Sequence, residues 1–124
     1  MKRVMKGNIY YANLDPVIGS EQGGNRPILV VSNNIGNNYS PTIIVAPITS
    51  IDNNKSNLPT HVEIRKILKK DSIILLEQLK TIDKTRLTEF KGRIDRKTEL
   101  QVDKALIVAL DINLDRAVDN MIYF

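Results

Sequence analysis

The hydrophobic pattern changes period about two-thirds of the way along this chain, and that change limits the folds open to it. Up to Ile94 the apolar residues fall in short, largely β-branched runs separated by clusters of Asn, Asp, Gly and Pro. Such punctuation is the mark of short strands joined by turns. Beyond it, Val102, Ala105, Leu106, Ala109 and Leu110 recur at i, i+3, i+4, i+7 and i+8, one face of an amphipathic helix. Short strands followed by one helix predict a compact twisted sheet or partial barrel with the helix packed on it. Turn-rich joints too short for crossovers favour antiparallel pairing. At 124 residues the chain has room for one domain and one core.

The runs can be placed. Gly7 opens a strand through Leu14, which Asp15-Pro16 ends with turn chemistry. Pro27 fixes φ at the start of a second strand, Ile28 to Val31, where its missing N–H does least harm. Asn33 to Asn38 is a helical turn or loop. Thr42 to Thr49 is the strongest strand in the chain, and Pro47 should end it on a sheet edge or bulge. The polar loop Asp52 to Asn57 should then lead to an antiparallel partner for that strand at His61 to Ile64. Ser72 to Leu76 and Leu79 to Ile82 are further apolar runs, Asp83 caps a helical turn, and Phe90 to Ile94 is a last short strand. Either Asp95 caps the C-terminal helix, or Thr98 with Gln101 forms a capping box. The stripe resumes at Leu114, Ala117, Val118, Met121 and Ile122, so the helix either runs on or breaks near Asp111 to Asn113.

Several chemistries are excluded by what is missing. The chain has no cysteine, hence no disulfide, thiolate nucleophile or zinc–thiolate site. One histidine, His61, rules out a two-histidine acid/base ribonuclease within one chain. The carboxylates lack the clustered spacing of a divalent-metal nuclease, and no phosphate-binding GxxxxGK[ST] loop is present. No run approaches the roughly 20 apolar residues of a membrane span, and Met1 to Val4 opens no signal-peptide region, so a cytoplasmic protein is expected. The formal charge of +4 suits a polyanionic partner or simply solubility.

One stretch, Gly19-Ser20-Glu21-Gln22-Gly23-Gly24-Asn25-Arg26-Pro27, sets an arginine between a glycine-rich loop and a proline at the mouth of the sheet. A guanidinium offers a fixed fork of donors to phosphate oxygens and stabilises charge on a phosphorane. An arginine that pins its own loop through backbone carbonyls fits the same residues. Thr49 closes the next strand as an ordinary edge residue or as a donor to phosphate at the same rim. His61 reads as a half-buried strand residue or as part of that rim. Glu77-Gln78 breaks an apolar run, which costs free energy unless the pair is hydrogen-bonded or faces a ligand. Gln78 can read a base edge.

Five segments in register resemble the MazF/PemK family of toxin endoribonucleases from toxin–antitoxin modules. They are Gly7-Asn8-Ile9-Tyr10 with Leu14-Asp15-Pro16; Gly19 to Pro27; Ser40-Pro41-Thr42 through Pro47-Ile48-Thr49; Leu58-Pro59-Thr60-His61-Val62; and Asp71 through Leu76-Glu77-Gln78 to Asp83. The resemblance implies a mainly β fold with helices, an SH3-like antiparallel barrel carrying a C-terminal amphipathic helix, and a homodimer. It implies metal-independent, cofactor-free cleavage of single-stranded RNA, by 2′-hydroxyl attack that leaves a 2′,3′-cyclic phosphate and a 5′-hydroxyl. Arg26 and Thr49 fall on the family's catalytic pair. Substrate contacts are implied for Ser20, Glu21, Gln22, Ser50, Leu58, His61, Glu77 and Gln78. The implied partner besides RNA is a MazE-like antitoxin with an acidic, disordered tail.

Two departures stand out. Asn8 replaces the family's usual aspartate, and residues from about 111 to 124 extend past the usual ending as an extra helical segment. The alternatives are a gyrase-inhibiting toxin of the same fold, against which the absence of tryptophan argues, and a non-catalytic RNA-binding barrel.

Overall fold

The computed structural model describes residues 3–51, 58–119 and 121. Its seven strands are β1 (Asn8–Asn13), β2 (Asn25–Val30), β3 (Thr42–Ser50), β4 (His61–Ile64), β5 (Ser72–Leu75), β6 (Lys80–Asp83) and β7 (Leu87–Arg93). Three helices accompany them: α1 (Asn34–Tyr39), α2 (Arg96–Ala109) and α3 (Leu114–Asp119). All pairings are antiparallel, in the order β4-β5-β3-β2-β1-β7, with β6 also on β3. The mainly β class with a C-terminal helix is as expected.

Two apolar clusters shape the sheet. Tyr10, Ala12, Ile28, Val30, Ile43, Val45, Ile82 and Leu87 pack together, and they come from β1, β2, β3, β6 and β7 alone. Those five strands therefore curl around their own side chains as a partial barrel. The alternate residues Ile9, Leu29, Ala46 and Ile48 face the other way, against Val62, Ile64, Ile74, Val102 and Ala105. That outer core is roofed by β4, β5 and α2. The strict alternation along β1, β2 and β3 is the period-2 geometry of a strand with both faces covered.

The strand pairing departs from expectation at β4. It pairs with β5, not β3, and β5 pairs with Ile48 to Ser50 of β3. The physical reason is burial: β5 is buried at all four positions, whereas β4 exposes Glu63 between Val62 and Ile64. A strand apolar on both faces belongs inside a sheet, and an alternating one at its edge. The loop expected at Asp52 to Asn57 lies outside the described residues.

Pro47 does not end its strand either. β3 runs on to Ser50, pairing with β6 through Thr42 to Val45 and with β5 from Ile48 onward. The proline sits in the gap between the two ladders, so the strand changes partner without interruption. β2 begins earlier than expected, at Asn25, because β1 holds it in register through Asn13↔Asn25, Ala12↔Arg26 and Tyr11↔Pro27. Arg26 is thus a strand residue. β7 likewise begins at Leu87, before the expected Phe90.

At the C-terminal end Asp95 is the cap of α2, its side chain accepting from the Thr98 N–H. The helix stops at Ala109 and Asp111 takes φ +51°. It therefore breaks, and Asn113 caps α3 through the Arg116 N–H at 2.9 Å. Leu114, Val118 and Met121 remain exposed, so this second stripe does not continue the core. Ile122 lies outside the described residues. Asn8 is buried, and its Oδ1 accepts from Arg93 Nη1 at 3.1 Å.

Candidate active site

The loop from Asp15 to Gly24 is built by its own polar side chains. Asp15 Oδ1 accepts the Gly24 N–H at 2.9 Å, and Glu21 Oε1 accepts the Ile18 N–H at 2.6 Å. Gly24 sits at φ +76°, which L side chains rarely adopt. At Gly23 a β-carbon would lie 2.6 Å from Val17 Cγ2 and 2.7 Å from Asp15 Oδ1. The two glycines are there for different reasons, one for backbone angle and one for space.

This loop delivers Arg26. Its Nε donates to the Gly23 carbonyl at 2.8 Å and its Nη1 to the Ile48 carbonyl at 3.4 Å. These are the loop-pinning bonds that the sequence left as one possibility. They also orient the guanidinium, and Nη2 keeps no hydrogen-bond partner among the described residues. Ala12, opposite Arg26 on β1, is too small to crowd it.

Thr49 reaches the same rim through the ladder. Ile28 pairs with Pro47, and continuing that register by two residues sets Arg26 opposite Thr49. Both belong to the barrel-facing alternation of their strands, Arg26 with Ile28 and Thr49 with Val45 and Pro47. Thr49 is 8% exposed. Its hydroxyl has no partner among the described residues, and no unpartnered side-chain polar atom is sealed from solvent. A free hydroxyl and a free guanidinium edge thus end adjacent strands on one face. Together they can hold a phosphate.

A cleft of about 450 Å³ lies alongside, lined by Ser20, Glu21 and Gln22 from the loop, Glu77 and Gln78, and by Leu14, Pro47 and Lys80. Gln78 Oε1 accepts the Gln22 N–H at 3.0 Å. Glu77 accepts from Thr60 Oγ1 at 3.1 Å and meets His61 Nε2 at 3.0 Å. The polar pair that broke an apolar run is therefore hydrogen-bonded and also faces a cleft. Residues 5–110 match the family described as PemK-like, MazF-like toxin of type II toxin-antitoxin system.

The chain belongs to the PemK/MazF toxin family. It is 53% identical over 110 residues to endoribonuclease EndoA of Bacillus subtilis (strain 168), covering 86% of this chain and 94% of that protein. It is 50% identical over 113 residues to endoribonuclease MazF of Staphylococcus epidermidis, covering 89% and 93%. The crystal structure of MazF from Deinococcus radiodurans has the same fold, with a TM-score of 0.78 at 24% identity, over 90% of this chain and all of that one (100%).

At this cleft and rim the expected residues divide. Ser20, Glu21, Gln22, Glu77 and Gln78 share the cleft, with Arg26 and Thr49 at the neighbouring rim. Three stand apart. The His61 side chain is 5% exposed and lies behind Glu77. Leu58 is exposed, and its carbonyl accepts the His61 N–H. Ser50 is half-buried opposite Ser72 at the end of β3.

Two basic residues hold the loop in place that the sequence did not single out. Lys80 Nζ donates to the Leu14 carbonyl at 3.1 Å and lines the cleft. Arg86 Nη1 donates to the carbonyls of Asn13 and Asp15. Arg86 is set by the turn Lys84–Arg86, which Asp83 caps through Thr85. The Thr85 N–H, then its hydroxyl, hold the Asp83 carboxyl below the usual carboxylate range. Both basic contacts span some seventy residues of sequence, and no local spacing announces them.

Proposed function

We propose that this protein is the endoribonuclease toxin of a type II toxin–antitoxin module, cutting single-stranded RNA without a metal. The observation that carries the reading is the pairing of Arg26 and Thr49. The β2–β3 register, continued two residues past Ile28↔Pro47, sets them opposite each other, each with donors left over, beside a cleft lined by polar side chains. Relatives at about half identity are named endoribonucleases, which supports the same class of reaction here.

In this reading the RNA 2′-hydroxyl attacks the adjacent phosphorus, the bond to the 5′-oxygen breaks, and a 2′,3′-cyclic phosphate and a 5′-hydroxyl result. Arg26 stabilises the charge that builds on the phosphorane oxygens, and Thr49 donates to one of them. The backbone carbonyls that accept from Arg26 keep the guanidinium oriented before substrate arrives. Ser20, Glu21, Gln22, Glu77 and Gln78 read unpaired bases in the cleft. Among the described residues no group of three or more His, Asp or Glu is placed to hold a metal ion. The reading includes a homodimer and a cognate antitoxin whose acidic tail folds onto the basic surface. Among the described residues no helix is long and apolar enough to cross a membrane.

The test is cleavage of a long single-stranded RNA in EDTA, beside an Arg26→Ala control. Cleavage by the native protein and loss of about 10²–10³-fold in the variant is the expected result. Equal cleavage by both, or none by either, sinks the reading. Mapping the cut ends gives the recognition sequence and the end chemistry together.

A further inference from the structure

A second groove, of about 990 Å³, runs between β4 and α2. It meets the cutting cleft at one hydrogen-bonded pair. His61 lines the groove, and Glu77, bonded to it at 3.0 Å, lines the cleft. A strand leaving the cleft past Glu77 therefore comes next to this groove.

Its charge is uneven. Arg65, Arg93, Lys97 and Lys104 line it against Glu63 and Asp95. Glu63 is engaged with Arg65 at 3.0 Å, and Asp95 accepts the Thr98 N–H as the cap of α2. Arg93 is paired with Glu99. Lys97 and Lys104 have no ion-pair partner among the described residues. They lie seven residues apart, two turns along one stripe of α2, with Gln101 between them on the same side. The result is a row in which donors outnumber the acceptors facing them, with Asp95 feeling the Lys97 charge from within the same lining.

The lining also says which polyanion fits. Its one aromatic ring, His61, is 5% exposed and bonded to Glu77, so it offers no open platform for stacked bases. Of its apolar lining, Val62, Ile64 and Ala105 are already buried in the outer core and Val108 is the one exposed large hydrophobic, so an amphipathic helix would find a single strong apolar anchor there. A phosphodiester backbone needs only the donors.

Building on the ribonuclease reading, we propose that the groove between β4 and α2 is an exosite for RNA. It holds the phosphate backbone of the strand outside the cutting cleft, without regard to sequence, chiefly through Lys97 and Lys104.

The test is the double variant Lys97→Glu/Lys104→Glu. Both residues are exposed, and a glutamate in the first turn of α2 suits the helix dipole, so the fold is retained; circular dichroism checks this. Turnover is measured on a long RNA and on the shortest RNA cut at the same site, over a range of salt. The ratio of long to short kcat/KM should fall on the order of tenfold. The log–log salt slope for the long substrate should flatten by roughly 1.4, at about 0.7 per phosphate contact on a single strand. An unchanged ratio, or an equal loss on both substrates, overturns the proposal. So does an unchanged ratio with weakened binding of poly-L-glutamate, which would assign the groove to an acidic protein. If the native protein cuts neither RNA, the ribonuclease reading fails by itself. Binding of short and long 2′-deoxy oligomers to the native and variant proteins then still decides whether the groove holds backbone.

Discussion

Adding one methyl group at Gly23 tests whether the loop geometry is what makes Arg26 useful. In Gly23→Ala the new carbon would lie 2.6 Å from Val17 Cγ2 and 2.7 Å from Asp15 Oδ1, well inside contact distance, so one of them must move. Asp15 Oδ1 is held by the Gly24 N–H at 2.9 Å, and the Gly23 carbonyl itself accepts from Arg26 Nε at 2.8 Å. Asp15 is exposed and Val17 half-buried, so the cost lies near the lower end of core overpacking, about 1 kcal/mol. For a domain of this size that lowers Tm by roughly 3–6 °C. The functional loss should be larger than the stability loss suggests, because a shift of about 1 Å in a positioned group costs on the order of 10²-fold in rate. The assay pairs thermal unfolding by circular dichroism with initial rates on a fluorogenic RNA, measured well below the variant's Tm. A variant with a lowered Tm and the native rate would show that Arg26 does not depend on the loop. One with both values native would show that the space at Gly23 is not needed.

Other outcomes follow from the same geometry. Arg26→Lys should recover little of the activity lost in Arg26→Ala, because an ammonium cannot bond two carbonyls and still present a planar edge; near-native rates would count against the orienting role. Gln78→Ala removes the acceptor of the Gln22 N–H and should change which sequence is cut more than the rate at a permissive site. Unchanged cut-site preference in RNA mapping removes Gln78 from the reader. The Thr98 hydroxyl, then its N–H, hold the Asp95 carboxyl below the usual range. Its contribution to stability is therefore present above the unfolded value near 3.9 and is lost as pH falls toward the folded one. The Tm gap between the native protein and Asp95→Ala should accordingly narrow from about pH 5 to about pH 3; a constant gap would show that the cap does not titrate as argued.

Much of the fold was legible because local chemistry and tertiary packing agree. The cap at Asp83, the helix stripe through Val102 and Ala105, and the strand from Thr42 all follow from neighbours a few residues away. Even the place of β5 was on view: Ser72-Ile73-Ile74-Leu75 is apolar without alternation, whereas His61-Val62-Glu63-Ile64 alternates, and only the first suits the middle of a sheet. Loop order alone instead joins β4 to β3. Pro47 misled for the opposite reason. Its missing N–H is harmless where β3 passes from one partner to the next, and a gap between ladders is a property of three strands, not of one.

The sequence by itself determined the β-then-helix order, the polar loop with its arginine, and, through five segments in register, the PemK/MazF family. It did not determine how that arginine meets its surroundings. Arg26 reads locally as a loop residue, and only the β1 ladder draws it into β2, where the β2–β3 register, continued past Ile28↔Pro47, brings it toward Thr49. Lys80 and Arg86 reach back to Leu14, Asn13 and Asp15, and His61 hides behind Glu77 rather than facing the cleft. Such contacts join residues far apart in the chain, and those of Lys80 and Arg86 end on backbone carbonyls that every residue carries. Composition and spacing cannot mark them; the curling of the open sheet into a partial barrel decides them.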